Sequence, residues 1–234
     1  MSEPLTASPL PHDPLHERPN RGFHPILEGE QPYVFVDGCV QIWPDADLAN
    51  AHRHGCDVYA VTALRPHHAV ADALRDIMGW HRLTREHPNL RIARTVRDIR
   101  EAKEAGQASL LLAAQDGEFI HDDVSRVEAF HALGLRMLIP AYNRDNLLCG
   151  GVLEHTDAGL SALGRHVVEE CDRVGVVLDA SHVSRRASLE MIDASANPIV
   201  FSHANPRALV DNPRNVDDEQ IEAVAARGGV IGTV

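Results

Sequence analysis

"GVVLDASHVSRRASLEMIDASANPIVFSHA" spans residues 175–204 and holds two apolar runs, each ending in Ser-His, at Ser181-His182 and at Ser202-His203. Between them, RRASLEMIDASANP reads as one helix and a turn. Apolar residues in succession, rather than in alternation, mark strands buried on both faces, as in a parallel sheet. The unit is strand, helix, strand, with a histidine at the same point of both strands.

The same plan extends in both directions. Seven strand-like runs are visible: 33–40, 57–64, 109–116, 135–142, 175–181, 197–204 and 228–234. Helical patterns separate them, among them DADLANAHRHG, ALRDIMGWHRLTREHP, TVRDIREAKEAG with Thr95 as N-cap, AGLSALGRHVVEECDRVG and DDEQIEAVAARGG. Acidic or small residues open these segments and glycine or proline closes them.

Repeated strand–helix units leave an open doubly wound sheet or a (β/α)8 barrel. No GxGxxG follows the first strand, which counts against a dinucleotide-binding sheet. Polar residues instead end nearly every strand: Asp37, Gln115, Tyr142, His182 and His203. A barrel gathers those ends around one mouth, where its chemistry sits. The expectation is an α/β fold, a (β/α)8 TIM-type barrel incomplete at its C-terminal end, occupying residues 32–234. Residues 1–31, rich in proline and lacking an apolar signal segment, read as a poorly ordered leader or an arm laid over the domain.

Composition narrows the partners. With 22 Lys+Arg against 34 Asp+Glu, the net charge of −12 argues against nucleic acid and anionic membranes. No run reaches the length of a membrane span. Four cysteines without CxxC spacing point to free thiols in a reducing, cytoplasmic setting.

Two histidines at matched strand ends become neighbours across a barrel mouth, where His182 and His203 would share one bound ion. The competing reading is a helix-capping or core histidine. His52-Arg53-His54 and His67-His68 read as solvated surface. Arg214, just before an acidic helix start, suits a substrate carboxylate, or else pairs with Asp217 or Asp218. AYNRDN (141–146) reads as a binding loop or as turn chemistry around its asparagines. Asp37 supplies an oxygen or a turn. Asp179, three residues before His182, reads as a brace for the site.

In order and spacing, AYNRDN, AGLSALGRHVVEECDRVGVVLDASHVS, PIVFSHA, NPRNVDDEQI and GGVIG resemble the membrane (renal) dipeptidase family, zinc-dependent exopeptidases on an amidohydrolase-type barrel. VDG (36–38), TVRDIREAKEAG and AAQDG (113–117) resemble it more loosely. The resemblance implies His182 and His203 as metal ligands and Arg214 at the substrate carboxylate; Tyr142 and Asn143, in the AYNRDN loop, are further substrate-binding candidates. It also marks departures. Where the family has Asp-Gly-His-x-Asp, this chain reads Asp37-Gly38-Cys39-Val40-Gln41; Gln115 replaces a metal-bridging glutamate and Tyr142 an assisting histidine. The family's next strand carries an aspartate that has no counterpart here.

Neutral glutamine bridges two dications poorly. The expectation is thus at most one zinc ion, with Cys39 and Gln115 as further candidate ligands. Asp37, Gln115 and Tyr142 are the candidate catalytic groups. The expected reaction is hydrolysis of a dipeptide or similar small amide. Its rivals are a weakly active or non-catalytic relative binding a small carboxylated ligand, and a metal-free enzyme using Asp37 or Asp179. An open barrel edge further suggests a homodimer.

Overall fold

The computed structural model describes residues 33–42, 47–53 and 55–234. The leader expected over residues 1–31, and His54, lie outside the described residues. Eight strands occur among the described residues: β1 (Val36–Val40), β2 (Val58–Leu64), β3 (Leu90–Ile92), β4 (Ala108–Ala114), β5 (Leu135–Leu138), β6 (Val177–Leu178), β7 (Val200–Phe201) and β8 (Val230–Ile231). The helices are α1 (Val70–Glu86), α2 (Val96–Glu104), α3 (Ser125–Leu133), α4 (Ala162–Val174), α5 (Arg185–Ala194) and α6 (Asp218–Ala226).

Every strand pairing is parallel. The order is β1-β2-β4-β5-β6, followed by the pair β7-β8. A parallel bridge between Asp179 and Val200, with Ala180 N donating to Val200 O at 2.7 Å, carries the sheet from β6 to β7. The short β3 pairs only with the start of β4, on the edge that β5 takes further along. Seven staves therefore match the seven apolar runs, and β3 is the addition. Three residues interrupted by Arg91 give too little apolar signal to read as a strand.

The sheet curls. A Cβ on Gly38 would meet Ser202 O at 2.8 Å, so the end of β1 packs against the backbone just beyond β7. This close approach brings the C-terminal ends of β1, β4, β6 and β7 to one mouth, the geometry of a TIM-type barrel, here incomplete. The main core lies between sheet and helices, where Leu110, Leu112, Leu135 and Leu138 meet Ile77, Phe130 and Val167. A smaller cluster of Ala60, Ala113 and Met137 lines another part of the sheet.

Local chemistry places the helices. Thr95 and Asp98 form a capping box on α2, and Asp217 and Gln220 another on α6. Gly134 and Gly175 end α3 and α4 in the left-handed conformation. The helix expected around DADLANAHRHG is a 3-10 helix, Leu48–Arg53, in which Asn50 Nδ2 donates to the Asp47 carboxylate at 3.1 Å. Such local side-chain bonding competes with an α-helical turn. No helix among the described residues is long and apolar enough to cross a membrane.

Gly79 offers a simple check of α1. It sits mid-helix, and a Cβ there meets nothing within 4 Å. Gly79→Ala should raise stability by roughly 0.5–1 kcal/mol, read as a higher urea midpoint at unchanged slope.

Candidate active site

The site starts from a fully buried carboxylate. Asp179 leaves the sheet just after β6, and its Oδ1 accepts from Ser181 N at 2.9 Å and from Ser202 N at 3.0 Å. Its Oδ2 accepts from Ser202 Oγ. The ends of β6 and β7 are thereby tied by one side chain.

This network fixes a tautomer. The single hydroxyl proton of Ser202 goes to Asp179, so Ser202 Oγ accepts from His203 Nδ1–H at 2.7 Å. His203 Nε2 is left bare. Asn143 Oδ1 accepts from His182 Nδ1–H at 2.8 Å, which leaves His182 Nε2 bare as well. The two Nε2 atoms face each other at 2.7 Å, and Arg214 Nη2 donates to His182 Nε2 at 3.2 Å. The matched positions of the two histidines in sequence thus become direct contact in space.

Two converging lone pairs repel unless a cation, a proton or a metal ion, lies between them. Burial, Arg214 and His203 push His182 down to about 2 from the ordinary imidazole value of 6.5. Burial also lowers His203, against the pull of Asp179. Protonation is therefore the weaker way to relieve the repulsion, and the neutral imidazole is the form that ligates metals. Two imidazoles are a donor set that suits one ion. Their Nε2 atoms would have to part to hold it, since nitrogens at about 2.0–2.1 Å from one tetrahedral zinc stand about 3.3 Å from each other. Among the described residues, no third histidine, cysteine or acid completes a metal-binding group.

Backbone geometry at these positions is costly. His182 (φ 69°) and Asn143 (φ 65°) both adopt the left-handed region, where non-glycine residues are held only by their surroundings. Gly151 helps to hold them. Val152 N donates to His182 O and Leu153 N to Asn143 O, both at 2.9 Å, so the 151–154 segment is stapled to both residues. Tyr142 stacks on His182 with ring centres 4.1 Å apart and a 28° tilt.

Arg214 is partly buried, and among the described residues it has no carboxylate partner. Asp217 pairs with Arg185 instead, so the pairing alternative for Arg214 is not what forms. Burial lowers the Arg214 guanidinium, while Tyr142, Asp179 and Cys39 raise it. Arg214 and His182 line a cavity of about 230 Å³. A second cleft of about 540 Å³ lies along Tyr142 and Asn143.

Among the described residues, Gln115, Cys39 and Asp37 make no hydrogen bond to either imidazole, although Cys39 lies within electrostatic reach of Asp179 and Arg214. Gln115 is buried and its Nε2 donates to Cys39 Sγ at 2.9 Å. Burial, with Asp179 adding to it, pushes the Cys39 thiol up to about 11, away from the thiolate that ligates metals. Asp37 is exposed and its Oδ1 accepts from Cys39 N at 3.2 Å, an ordinary turn contact. The link through Ser202 and the hydrogen bond from His182 to Asn143 were not anticipated from sequence. The signal for the first was present in the repeated Ser-His pair.

Comparison with known proteins places the chain. The family model for membrane dipeptidases, peptidase family M19, matches residues 45–234. Dipeptidase tcpJ of Claviceps purpurea is 31% identical over 144 residues, covering 61% of this chain and 34% of that protein. An amidohydrolase from Pseudomonas aeruginosa superposes with a TM-score of 0.81 at 30% identity, over 86% of this chain and 62% of that one. The probable dipeptidase PvdM from the same organism gives 0.78 at 26% identity, over 86% and 59%. This chain thus spans about a third of the tcpJ protein and about three fifths of the two solved chains. Within that span, the family match runs from before β2 to beyond β8 and takes in both histidines and Arg214, and the chain belongs to the membrane dipeptidase family, peptidase family M19.

Proposed function

We propose that this chain is a metallohydrolase of the dipeptidase type, acting on a dipeptide or similar small amide at one zinc ion held by His182 and His203. The observation that carries this reading is the pair of unprotonated Nε2 atoms that converge at the strand ends, beside an Arg214 guanidinium that reaches His182 Nε2 but has no carboxylate partner among the described residues. Zinc, when bound, polarises a carbonyl and makes its water a nucleophile near neutral pH.

The chain's own residues supply the rest. Arg214 takes the substrate carboxylate as a two-pronged donor. Asp179, through Ser202, holds His203 in the ligating tautomer, and Asn143 does the same for His182. Tyr142, stacked on His182 and within electrostatic reach of Arg214, offers its hydroxyl to the oxygen that gains charge in the transition state. Gln115, tied to Cys39, orients water as a neutral group.

Among the described residues, no carboxylate bonds to either imidazole. General acid–base assistance is worth about 10²–10⁴-fold, so turnover should be slow by that order. The test is an assay of L,L- and L,D-dipeptides with added zinc, comparing the wild type with His182→Ala. Slow, zinc-dependent hydrolysis lost in the variant is expected. Hydrolysis indifferent to zinc and to the substitution would contradict the mechanism. The neutral Gln115–Cys39 pair favours one second reading, a non-catalytic relative that binds a small carboxylated ligand through Arg214. Binding without turnover would select it.

A cytoplasmic setting accords with four cysteines that are all free. Exposed Leu209 and Val210 suit a homodimer, which sedimentation would reveal.

A further inference from the structure

Arg214 and His182 share their cavity with several other charged groups, and most of these are occupied. Arg185 pairs with Asp217 and Glu219, and Arg207 pairs with Asp211. Asp157 Oδ1 accepts from Arg186 N at 2.8 Å. Glu154 is different. It is exposed, and its carboxylate has no ion-pair partner among the described residues. It lines both the 230 Å³ cavity and the 540 Å³ cleft along Tyr142. Arg144, which lines that second cleft, makes no ion pair with it.

Glu154 is also delivered to the site by a fixed path. The two residues before it are stapled by backbone hydrogen bonds to His182 O and Asn143 O, and Glu154 N donates to Gly151 O at 3.3 Å. A guanidinium that touches His182 and a carboxylate, neither with an ion-pair partner among the described residues, therefore border one cavity. A dipeptide in extended form is a zwitterion about 7 Å long, with its ammonium at one end and its carboxylate at the other.

We propose that Glu154 receives the free ammonium group of the substrate while Arg214 takes the carboxylate, so that the cleft selects peptides with both ends unblocked. The inference rests on the carboxylate role assigned to Arg214 above and adds the second end. Glu154 acts here as a specificity residue. It carries no bond-making step.

The experiment compares binding of L-Ala-L-Ala and N-acetyl-L-Ala-L-Ala to zinc-treated wild type, Glu154→Gln and Glu154→Lys, by calorimetric titration. Melting temperatures within a few degrees of the wild type establish that the variants fold. A charge-assisted contact at an exposed site should give the wild type about a tenfold preference for the unblocked peptide. Glu154→Gln should bind the two peptides alike, and Glu154→Lys should favour the acetylated one. Wild type binding both equally, or Glu154→Gln keeping the preference, overturns the inference and leaves the proposed function standing. Failure of both peptides to bind the wild type overturns both.

Discussion

Replacing His203 with alanine should abolish tight zinc binding. Among the described residues two imidazoles converge, so one substitution removes half of the proposed protein ligands. Loss of a group that merely orients a ligand already costs about 10–100-fold in affinity, and loss of a ligand should exceed that. Ser202→Ala should fall in the lower range, because it cuts the link from Asp179 to His203 but leaves the imidazole in place. Competition against a chromogenic chelator measures both. Equal zinc affinity in wild type and His203→Ala would refute the assignment. The fold should persist in both variants, since the core between sheet and helices does not depend on these side chains.

Gly151→Ala should strike fold and site together. A Cβ at this position would lie 2.3 Å from Arg144 N and 2.3 Å from Asn143 C, both backbone atoms with no freedom to step aside. Gly151 N also donates to Asp145 Oδ1 at 2.8 Å, and Gly151 bridges to Val183 beside His182. Forcing these segments apart should cost about 1–3 kcal/mol. For a chain of this size that lowers Tm by at least about 2–4 °C. The displacement reaches Asn143, whose side chain sets the His182 tautomer, so zinc affinity should fall as well. A variant with wild-type Tm and wild-type zinc affinity would show that the loop does not support the site.

The strand–helix repeat was legible because buried parallel strands are apolar on successive residues. The stretch from Gly175 to Ala204 carried the most information. It placed two histidines at equivalent strand ends, and adjacency in a parallel sheet did the rest. What the sequence could not show was hydrogen-bond direction. Asn143 read as a substrate contact or a turn residue, yet its side chain bonds to His182 from a left-handed backbone. Arg214 looked equally suited to Asp217. The choice depended on Arg185, thirty-two residues before Asp217 and brought near only by the packing of α5 against α6. Glu154 gave no signal at all, because one acid in a loop resembles any other until two cavities are seen to meet at it.

The replaced positions were readable as residue types but not as contacts. Cys39 and Gln115 stand 76 residues apart in the chain and meet as a neutral hydrogen-bonded pair. That pair supplies no carboxylate and no thiolate. The proposed site is therefore mononuclear and built on the two histidines. Its most direct measurement is elemental analysis of the protein dialysed against zinc, paired with X-ray absorption at the zinc edge. One equivalent per chain, with two imidazole nitrogens in the coordination shell, is the expected result. Two equivalents, or one equivalent held by sulfur in place of the imidazoles, would contradict it.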